Sequence, residues 1–285
     1  KPVGLEELIP LAIANNAGLE AANLNVEQSD ALLGSAFDFD KTEVYYSYDQ
    51  NNLSVGNLPL NVLGVRQDFA FPTVYFAKRK VNKANYNLNA TAYEIRKEIL
   101  ERNIIAAYYQ YQYTTEKESI YRHLDSLYQN FAHMAKRRYE LGETNYLEKI
   151  TASSKQRQVQ IALEQAQQDV IIAKTALLQK VQGQDSLSIK YIPIGRIRLT
   201  PINTNGSVEM EYYQNIIDLS KAKHKFETQQ LLPDISLNYF QGTNSAVNGN
   251  LYGYQAGLKI PLLFGGNVSR IKASKISERI AVEES

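Results

Sequence analysis

The sequence predicts a mainly α-helical fold with a minor β component: long antiparallel helical hairpins and two β-hairpins, set out as an internal structural repeat. Three observations lead there. The block from Lys78 to Gln182 contains no Pro and a single Gly, at 142. Two separate stretches alternate apolar and polar residues with the period of a strand. The order of elements is also stated twice. A short amphipathic helix, a tyrosine-rich pair of strands and a Pro-terminated strand entering a Lys/Arg-bearing helix occupy residues 5 to 100, and they recur from about Val208. Phe71-Pro72-Thr73-Val74-Tyr75 aligns with Ile260-Pro261-Leu262-Leu263-Phe264, and at the same offset Lys83-Ala84 aligns with Lys272-Ala273. A repeat of whole elements constrains a fold more than a local motif does.

The repeat divides the chain into three parts. Residues 1-183 form the first copy: a helix from Leu5, a β-hairpin over 42-72 and a long helical hairpin over 78-182. Residues 184-207 form an extended linker. Residues 208-285 form the second copy, with a helix, a β-hairpin over 235-262 and the start of a further helix, its own helical hairpin being absent.

Composition narrows the function classes. Across 285 residues, 31 Lys and Arg stand against 30 Asp and Glu, a net charge of +1. Nucleic acid is not expected as a partner, because neutralising phosphates takes a clustered excess of basic side chains. The chain has no Cys, which removes disulfides, thiolate nucleophiles and Cys-based metal sites together. No apolar run approaches the roughly 20 residues of a membrane-spanning helix, and Lys1-Pro2-Val3 lacks the features of a signal peptide. A transmembrane β-barrel would leave no such hydropathy signal, since its strands alternate over only ~10 residues.

The strands fit that alternation. Along residues 62 to 71, Leu63, Val65, Phe69 and Phe71 share one face while Gly64, Arg66, Asp68 and Ala70 share the other. In the second copy Tyr252, Tyr254, Ala256, Leu258 and Ile260 lie opposite Gly253, Gln255, Gly257 and Lys259. Their partners run from Thr42 to Tyr48 and from Ile235 to Gln241, across polar loops at Asp49 to Asn61 and Gly242 to Asn250. Periodicity alone leaves two uses open, a half-buried sheet over a core or strands of a membrane barrel. The tyrosines favour the second: Tyr45, Tyr46, Tyr48, Tyr75, Tyr239, Tyr252 and Tyr254 gather in or beside the strands, as aromatic girdles do at a bilayer interface.

The helical block carries two stripes. Ile95, Ile99, Ala106, Tyr109, Tyr113, Ile120, Leu124, Leu127, Phe131, Met134 and Leu141 follow steps of three and four, broken mainly by Arg102, Glu116 and Arg138, which is a coiled-coil seam. A second seam of smaller or more polar residues runs beside it through Leu100, Ile104, Ala107, Tyr111, Thr114, Tyr121, Tyr128, Ala132, Ala135 and Tyr139. Two seams mean neighbours on two sides. The return helix, from about Glu143 to Val181, repeats the stepping with Leu163, Ala166, Val170, Ala173, Leu177 and Val181. Gly142 supplies the left-handed residue that ends the outgoing helix. Gln184 to Ser207, with Pro193 and Pro201, reads as an extended connection; near alternation of Ile192, Ile194, Ile197 and Leu199 leaves a small strand unit as the other reading.

Catalytic signals are absent where an enzyme would show them. His123, His133 and His224 have no carboxylate or Cys at ligand spacing and read as solvated or seam-edge residues. Met134 already belongs to a seam. Ser153-Ser154-Lys155 lies mid-helix, without the strained turn or oxyanion donors that hydrolysis needs. Gly265-Gly266-Asn267 lacks the following Lys-Ser/Thr of a phosphate loop and fits a junction turn. The expectation is a protein that is not an enzyme and needs no cofactor or metal.

Arg138-Tyr139, Gly142, Tyr146-Leu147-Glu148 and Ala152 follow the pattern R-Y-x-x-G-x-x-x-Y-L-E-x-x-x-A, and in this they resemble the hairpin tip of the TolC-like outer-membrane efflux factors. Leu5-Glu6-Glu7-Leu8 through Ala14-Asn15-Asn16 resembles that family's opening helix, and the junctions at Phe71-Pro72 and Ile260-Pro261 resemble its two strand-to-helix turns. The motifs occur in the family's order over nearly the whole chain, which would be about two thirds of a family member. The tip departs from the family at Thr144, Asn145, Lys149 and Thr151, where a small apolar residue, Ser, an apolar residue and Asp are more usual.

The resemblance implies a homotrimer in the outer membrane. Each subunit would give four strands to a twelve-stranded transmembrane β-barrel and helices to a periplasmic α-barrel, docked on a periplasmic adaptor (a membrane fusion protein) and an inner-membrane pump. It would be a passive conduit for small solutes or ions. With the apolar strand face against outer-membrane lipid, Leu63, Val65, Phe69, Phe71, Tyr252, Tyr254 and Leu258 would meet lipid, and Arg66, Asp68 and Lys259 would line the lumen. Arg138, Tyr139, Leu141, Gly142, Glu143, Thr144 and Asn145 would serve tip closure and adaptor contact. The alternative is a periplasmic or cytoplasmic coiled-coil scaffold or adaptor whose hairpins form a soluble sheet.

Overall fold

A computed structural model describes residues 2–50, 58–182, 187–195, 206–244, 249–261 and 265–285. They form two compact units, Lys1–Ala22 with Glu94–Thr204, and Asn23–Tyr93 with Asn205–Ser285. Two helices run from one unit into the other: α2 (Ala17–Ala31) and α3 (Pro72–Glu140). The 69 residues of α3 correspond to about 100 Å of helix at 1.5 Å per residue.

The first unit is built on α1 (Leu5–Asn15), α4 (Tyr146–Val181) and the part of α3 beyond Glu94. Its core is Leu8, Ala12, Ile104, Tyr108, Leu177, Leu178, Val181 and Ile189. The single opening helix expected from sequence is two helices. Asn16 takes an extended conformation that stops α1, and its Oδ1 accepts from the Leu19 amide at 2.8 Å, so one residue ends a helix and caps the next. Of the linker expected at 184-207, residues 184–186 and 196–205 lie outside the described residues. Residues 187–195 are extended: Val3 and Ile189 form a parallel bridge, and the Lys190 carbonyl accepts from Gln112 Nε2 at 2.8 Å and Tyr108 Oη at 3.2 Å.

The two seams of α3 have different fates in this unit. Ile104, Thr114 and Ala135 of the second seam are buried, and α4 buries Ala152, Ala166, Ala173 and Leu177. Antiparallel α3 and α4 are tied by Lys117 to Asp169 at 3.0 Å and by Arg138 to Glu148 at 3.4 Å. The first seam, the more apolar one, is open: Ile99, Tyr109, Tyr113, Ile120, Leu127, Phe131, Met134 and Leu141 are all exposed.

The second unit joins the two predicted hairpins into one antiparallel sheet, β1 (Glu43–Asp49), β2 (Leu60–Phe69), β3 (Asp234–Thr243) and β4 (Leu251–Lys259), in that spatial order. The pairing between copies places Phe69 opposite Ile235 and Asn61 opposite Thr243. Beneath the sheet the helices keep the same order. Asn82 Nδ2 of α3 donates to the carbonyl of Leu32, just past the end of α2, at 2.6 Å, and Asn215 Nδ2 of α5 (Val208–Gln229) donates to Thr91 Oγ1 of α3 at 3.3 Å. His224 of α5 meets Ser274 of α6 (Gly265–Glu283) at 2.9 Å, and Arg270 meets Glu227 at 3.4 Å. Helix α3 starts at Pro72, six residues before the block expected from sequence. Proline suits a first turn, whose amide would be unpaired in any case. Strand β2 ends at Phe69, so Phe71 belongs to the junction rather than to the sheet face where it was expected; its carbonyl accepts from the Val74 amide at 2.8 Å.

Candidate functional site: two sheet faces and a hairpin tip

Strand register decides which side chains share a face. Tyr46 lies opposite Leu63, Val44 opposite Val65, Val65 opposite Tyr239, Tyr239 opposite Tyr254, and Ile235 opposite Leu258. One face therefore carries Val44, Tyr46, Leu63, Val65, Leu237, Tyr239, Tyr252, Tyr254 and Leu258, all exposed, with Leu63 at 56% and Tyr254 at 82%. Of the residues expected there from sequence, Leu63, Val65, Tyr252, Tyr254 and Leu258 lie in the open, while Phe69 is half-buried with its ring edge-on to Phe39, 5.6 Å between centroids.

The other face is polar and internally paired. Arg66 meets Glu43 at 3.3 Å, and Lys259 pairs with Asp68. Two aromatic rings lie over glycines. A Cβ at Gly64 would collide with the Tyr45 ring, and one at Gly253 would collide with Phe240, so a Gly on one strand makes room for an aromatic ring of its neighbour. Tyr45 thereby reaches across β2 to β3, where Asn238 Nδ2 donates to its Oη at 3.0 Å. Sequence singled out Arg66, Asp68 and Lys259, grouped Tyr45 with the interface tyrosines although it lies on this polar face, and missed Glu43 and Asn238. The period-two pattern shows which residues share a face along one strand; which of them meet across strands depends on register.

At the far end of the α3–α4 hairpin the turn is closed on both sides. Gly142 takes φ +75, its amide donates to the Tyr139 carbonyl at 3.0 Å and the Glu143 amide to the Arg138 carbonyl at 2.9 Å, a double closure that satisfies the last carbonyls of α3. Asn145 Oδ1 accepts from the Glu148 amide at 2.9 Å to start α4. Thr144 Oγ1 also bonds Glu148, and Arg138 lies 3.8 Å from Glu143. Tyr139 and Tyr146 meet edge to face at 5.8 Å, with Lys149 Nζ 4.7 Å from the Tyr139 ring centre. The seven tip residues named from sequence thus form one locked loop. Outside it stands an apolar set that the sequence reading did not list as contact residues: Tyr146, Leu147 at 70% exposure, and Ile150. Their clue was the mid-hairpin position, where a helix with no further chain to cover it still carries large apolar residues.

His123 and His133 are exposed, Ser153 and Ser154 lie exposed within α4, and Lys155 bonds Gln158 at 3.2 Å. Among the described residues no three His, Cys, Asp or Glu side chains are placed to hold a metal ion, and no helix is long and apolar enough to cross a membrane.

No protein-family model matches the sequence, and no curated protein matches it either. Solved structures do match. CusC, described as forming a transmembrane channel, superposes with a TM-score of 0.78 at 17% identity, over 98% of this chain and 71% of that one. The Campylobacter jejuni CmeC outer membrane channel superposes with a TM-score of 0.76 at 13% identity, over 98% and 66%, and the Vibrio cholerae outer membrane protein VceC with 0.75 at 14%, over 98% and 74%. CusC and CmeC are thus described as channels and VceC as an outer membrane protein, and the chain spans between about two thirds and three quarters of their lengths. At such identities the shared property is the architecture: the fold of this chain is the TolC-like fold of outer-membrane channels.

Proposed function

We propose that the protein is the outer-membrane channel subunit of a tripartite efflux or export system, a passive conduit for small solutes or ions from the periplasm to the exterior. The observation that carries this reading is the sheet with one exposed apolar face and one paired polar face. Such a sheet is stable with lipid on the first side and water on the second. Among the described residues nothing pairs with the outer edge of β1 or of β4. Strands alternate in direction, so β4 of one copy can pair antiparallel with β1 of the next, and three copies close twelve strands without an edge.

On this reading Leu63, Val65, Phe69, Tyr252, Tyr254 and Leu258 face lipid, and Arg66, Asp68 and Lys259 face the lumen. The helices stand in the periplasm as an α-barrel, whose open first seam is covered by neighbouring helices. The tip, Arg138 to Asn145 together with Tyr146 and Leu147, meets a periplasmic adaptor coupled to an inner-membrane pump. Passage is governed by lumen charge and by the aperture at the tip.

Single-channel recording of the full-length protein in a planar bilayer tests this. Discrete conductance steps are expected, and Arg66→Glu with Lys259→Glu should move selectivity toward cations. A folded oligomer that inserts and conducts under no condition, including after Gly142 is replaced to loosen the tip, would return the protein to the scaffold reading.

A further inference from the structure

A belt of unpaired basic side chains lies on the helices just below the sheet. From Pro72 to Tyr93, α3 carries Lys78, Arg79, Lys80 and Lys83 and no Asp or Glu. Arg79, Lys80 and Lys83 are exposed, as are Lys221 and Lys225 of α5. Among the described residues none of these five makes an ion pair; Lys83 rests its ammonium 4.4 Å from the Tyr86 ring centre.

Contacts on either side of α3 fix the direction of the belt. Asn82 and Asn89 reach α2, while Thr73 and Thr91 reach α5. At 100° per residue, Phe76, Arg79 and Lys83 fall between those two contact lines, on an open face. On α5, Asn215 is turned to α3 and His224 and Glu227 to α6, which leaves Lys221 and Lys225 on the open side. Helices α3 and α5 run antiparallel, with Thr73 bonded to Gln229 and Thr91 to Asn215. Lys221 and Lys225 therefore fall level with Arg79 to Lys83.

The same face is continuous with the apolar face of the sheet. Phe76, 56% exposed, meets Phe37 edge to face at 5.7 Å; Phe39 meets Tyr75 at 5.3 Å and Phe69 of β2 at 5.6 Å. Going down from the strands there is an apolar sheet face, then a cluster of phenylalanines, then one helical turn later the basic belt. Asp38 and Asp40 flank Phe39, Asp30 lies on α2 and exposed Asp218 shares the open side of α5, so five basic groups stand against four carboxylates and the belt keeps a small positive excess.

We propose that this belt binds the phosphates of anionic phospholipids in the leaflet that meets the helical end of the sheet. The inference rests on the membrane reading above. An aromatic girdle marks the hydrocarbon boundary, and lipid phosphates lie several ångströms beyond it, where Arg79, Lys80 and Lys83 stand about 5 to 10 Å along the helix from Phe76. Each basic group at an anionic lipid surface contributes about fivefold to the preference. Lumenal solutes are a poorer match, because the belt continues the face that carries Leu63 and Tyr254.

The test uses the full-length protein reconstituted in nanodiscs of phosphatidylcholine with or without phosphatidylglycerol, with retained lipid counted by native mass spectrometry. Wild type should enrich phosphatidylglycerol, and the variant Arg79→Gln, Lys80→Gln, Lys83→Gln should lose at least about tenfold of that enrichment while conducting as before. Lys221→Gln with Lys225→Gln should lose part of it, which keeps the test valid if the triple variant folds poorly. Unchanged enrichment in both variants overturns the proposal. So does millimolar inorganic phosphate abolishing the enrichment, which would mark a free-phosphate site, or a change in pore selectivity at unchanged enrichment, which would place the belt in the lumen. Failure of wild type to conduct in any lipid would instead count against the channel reading.

Discussion

Gly64 shows how one missing side chain organises a surface. Without a Cβ there, Tyr45 can lie flat across β2 and hold Asn238, which is buried on β3. Gly64→Ala should displace the ring and leave Asn238 short of a partner, a loss of about 1 to 3 kcal/mol, read as a lower midpoint of thermal unfolding. Gly142 answers to a different constraint, since its backbone sits at φ +75 with open space around it. Gly142→Ala should cost about 1 to 2 kcal/mol by strain alone, and Gly142→Asn should recover part of the loss, as Asn tolerates that conformation. In the first unit, burial raises the pKa of the Tyr108 phenol, and the hydrogen bond to Glu116 raises that of Tyr191. Both contribute stability that is fully present below about pH 10, where the unfolded phenols titrate. It is lost as pH rises through the raised folded values, so Tyr108→Phe should flatten the alkaline limb of a stability-versus-pH curve.

Among the elements, the exposed sides of the outermost helices carry matching stripes. On α2, Leu24, Glu27 and Ala31 are exposed and point away from the buried Ala22 and Ser29; on α6, Lys272, Ile276 and Arg279 point away from α5. If copies join β4 to β1, Glu27 of one comes to face Lys272 and Arg279 of the next. Glu27→Lys should then weaken self-association by about 1 kcal/mol per interface, with Lys272→Glu restoring it in the double variant; sedimentation in detergent is the readout, and a double variant no better than the single would refute the pairing.

The elements themselves were largely legible in the sequence. Strict alternation marked the strands, the Pro-free block marked α3 and α4, and Gly142 marked their turn. What escaped was nonlocal. Nothing local shows that β2 pairs with β3, so the partner Lys259 on β4 for Asp68 on β2 could not be read; Glu43 and Arg66 meet within the first hairpin, where the register across a long loop decides the pairing. Nor does periodicity say which of two seams the chain fills itself: Ile104, Thr114 and Ala135 of the smaller seam are buried, while the more apolar seam stays open.

For the whole molecule, if the polar sheet face lines a lumen as proposed, its ion pairs predict weak selectivity, since Arg66 is matched by Glu43 and Lys259 by Asp68. Removing one member, as in Asp68→Asn, leaves a cation unmatched and should shift permeability toward anions in bilayer recordings; an unchanged reversal potential would place this face away from the conduction path. The two open edges, β1 and β4, have a genetic consequence. In a ring of three, every copy must offer both edges, so a subunit whose β1 cannot pair, such as one carrying Val44→Pro, would still join through β4 and stop the ring from closing. If such a subunit were expressed equally with wild type, only about one eighth of rings would escape it, and the defect would be inherited as dominant.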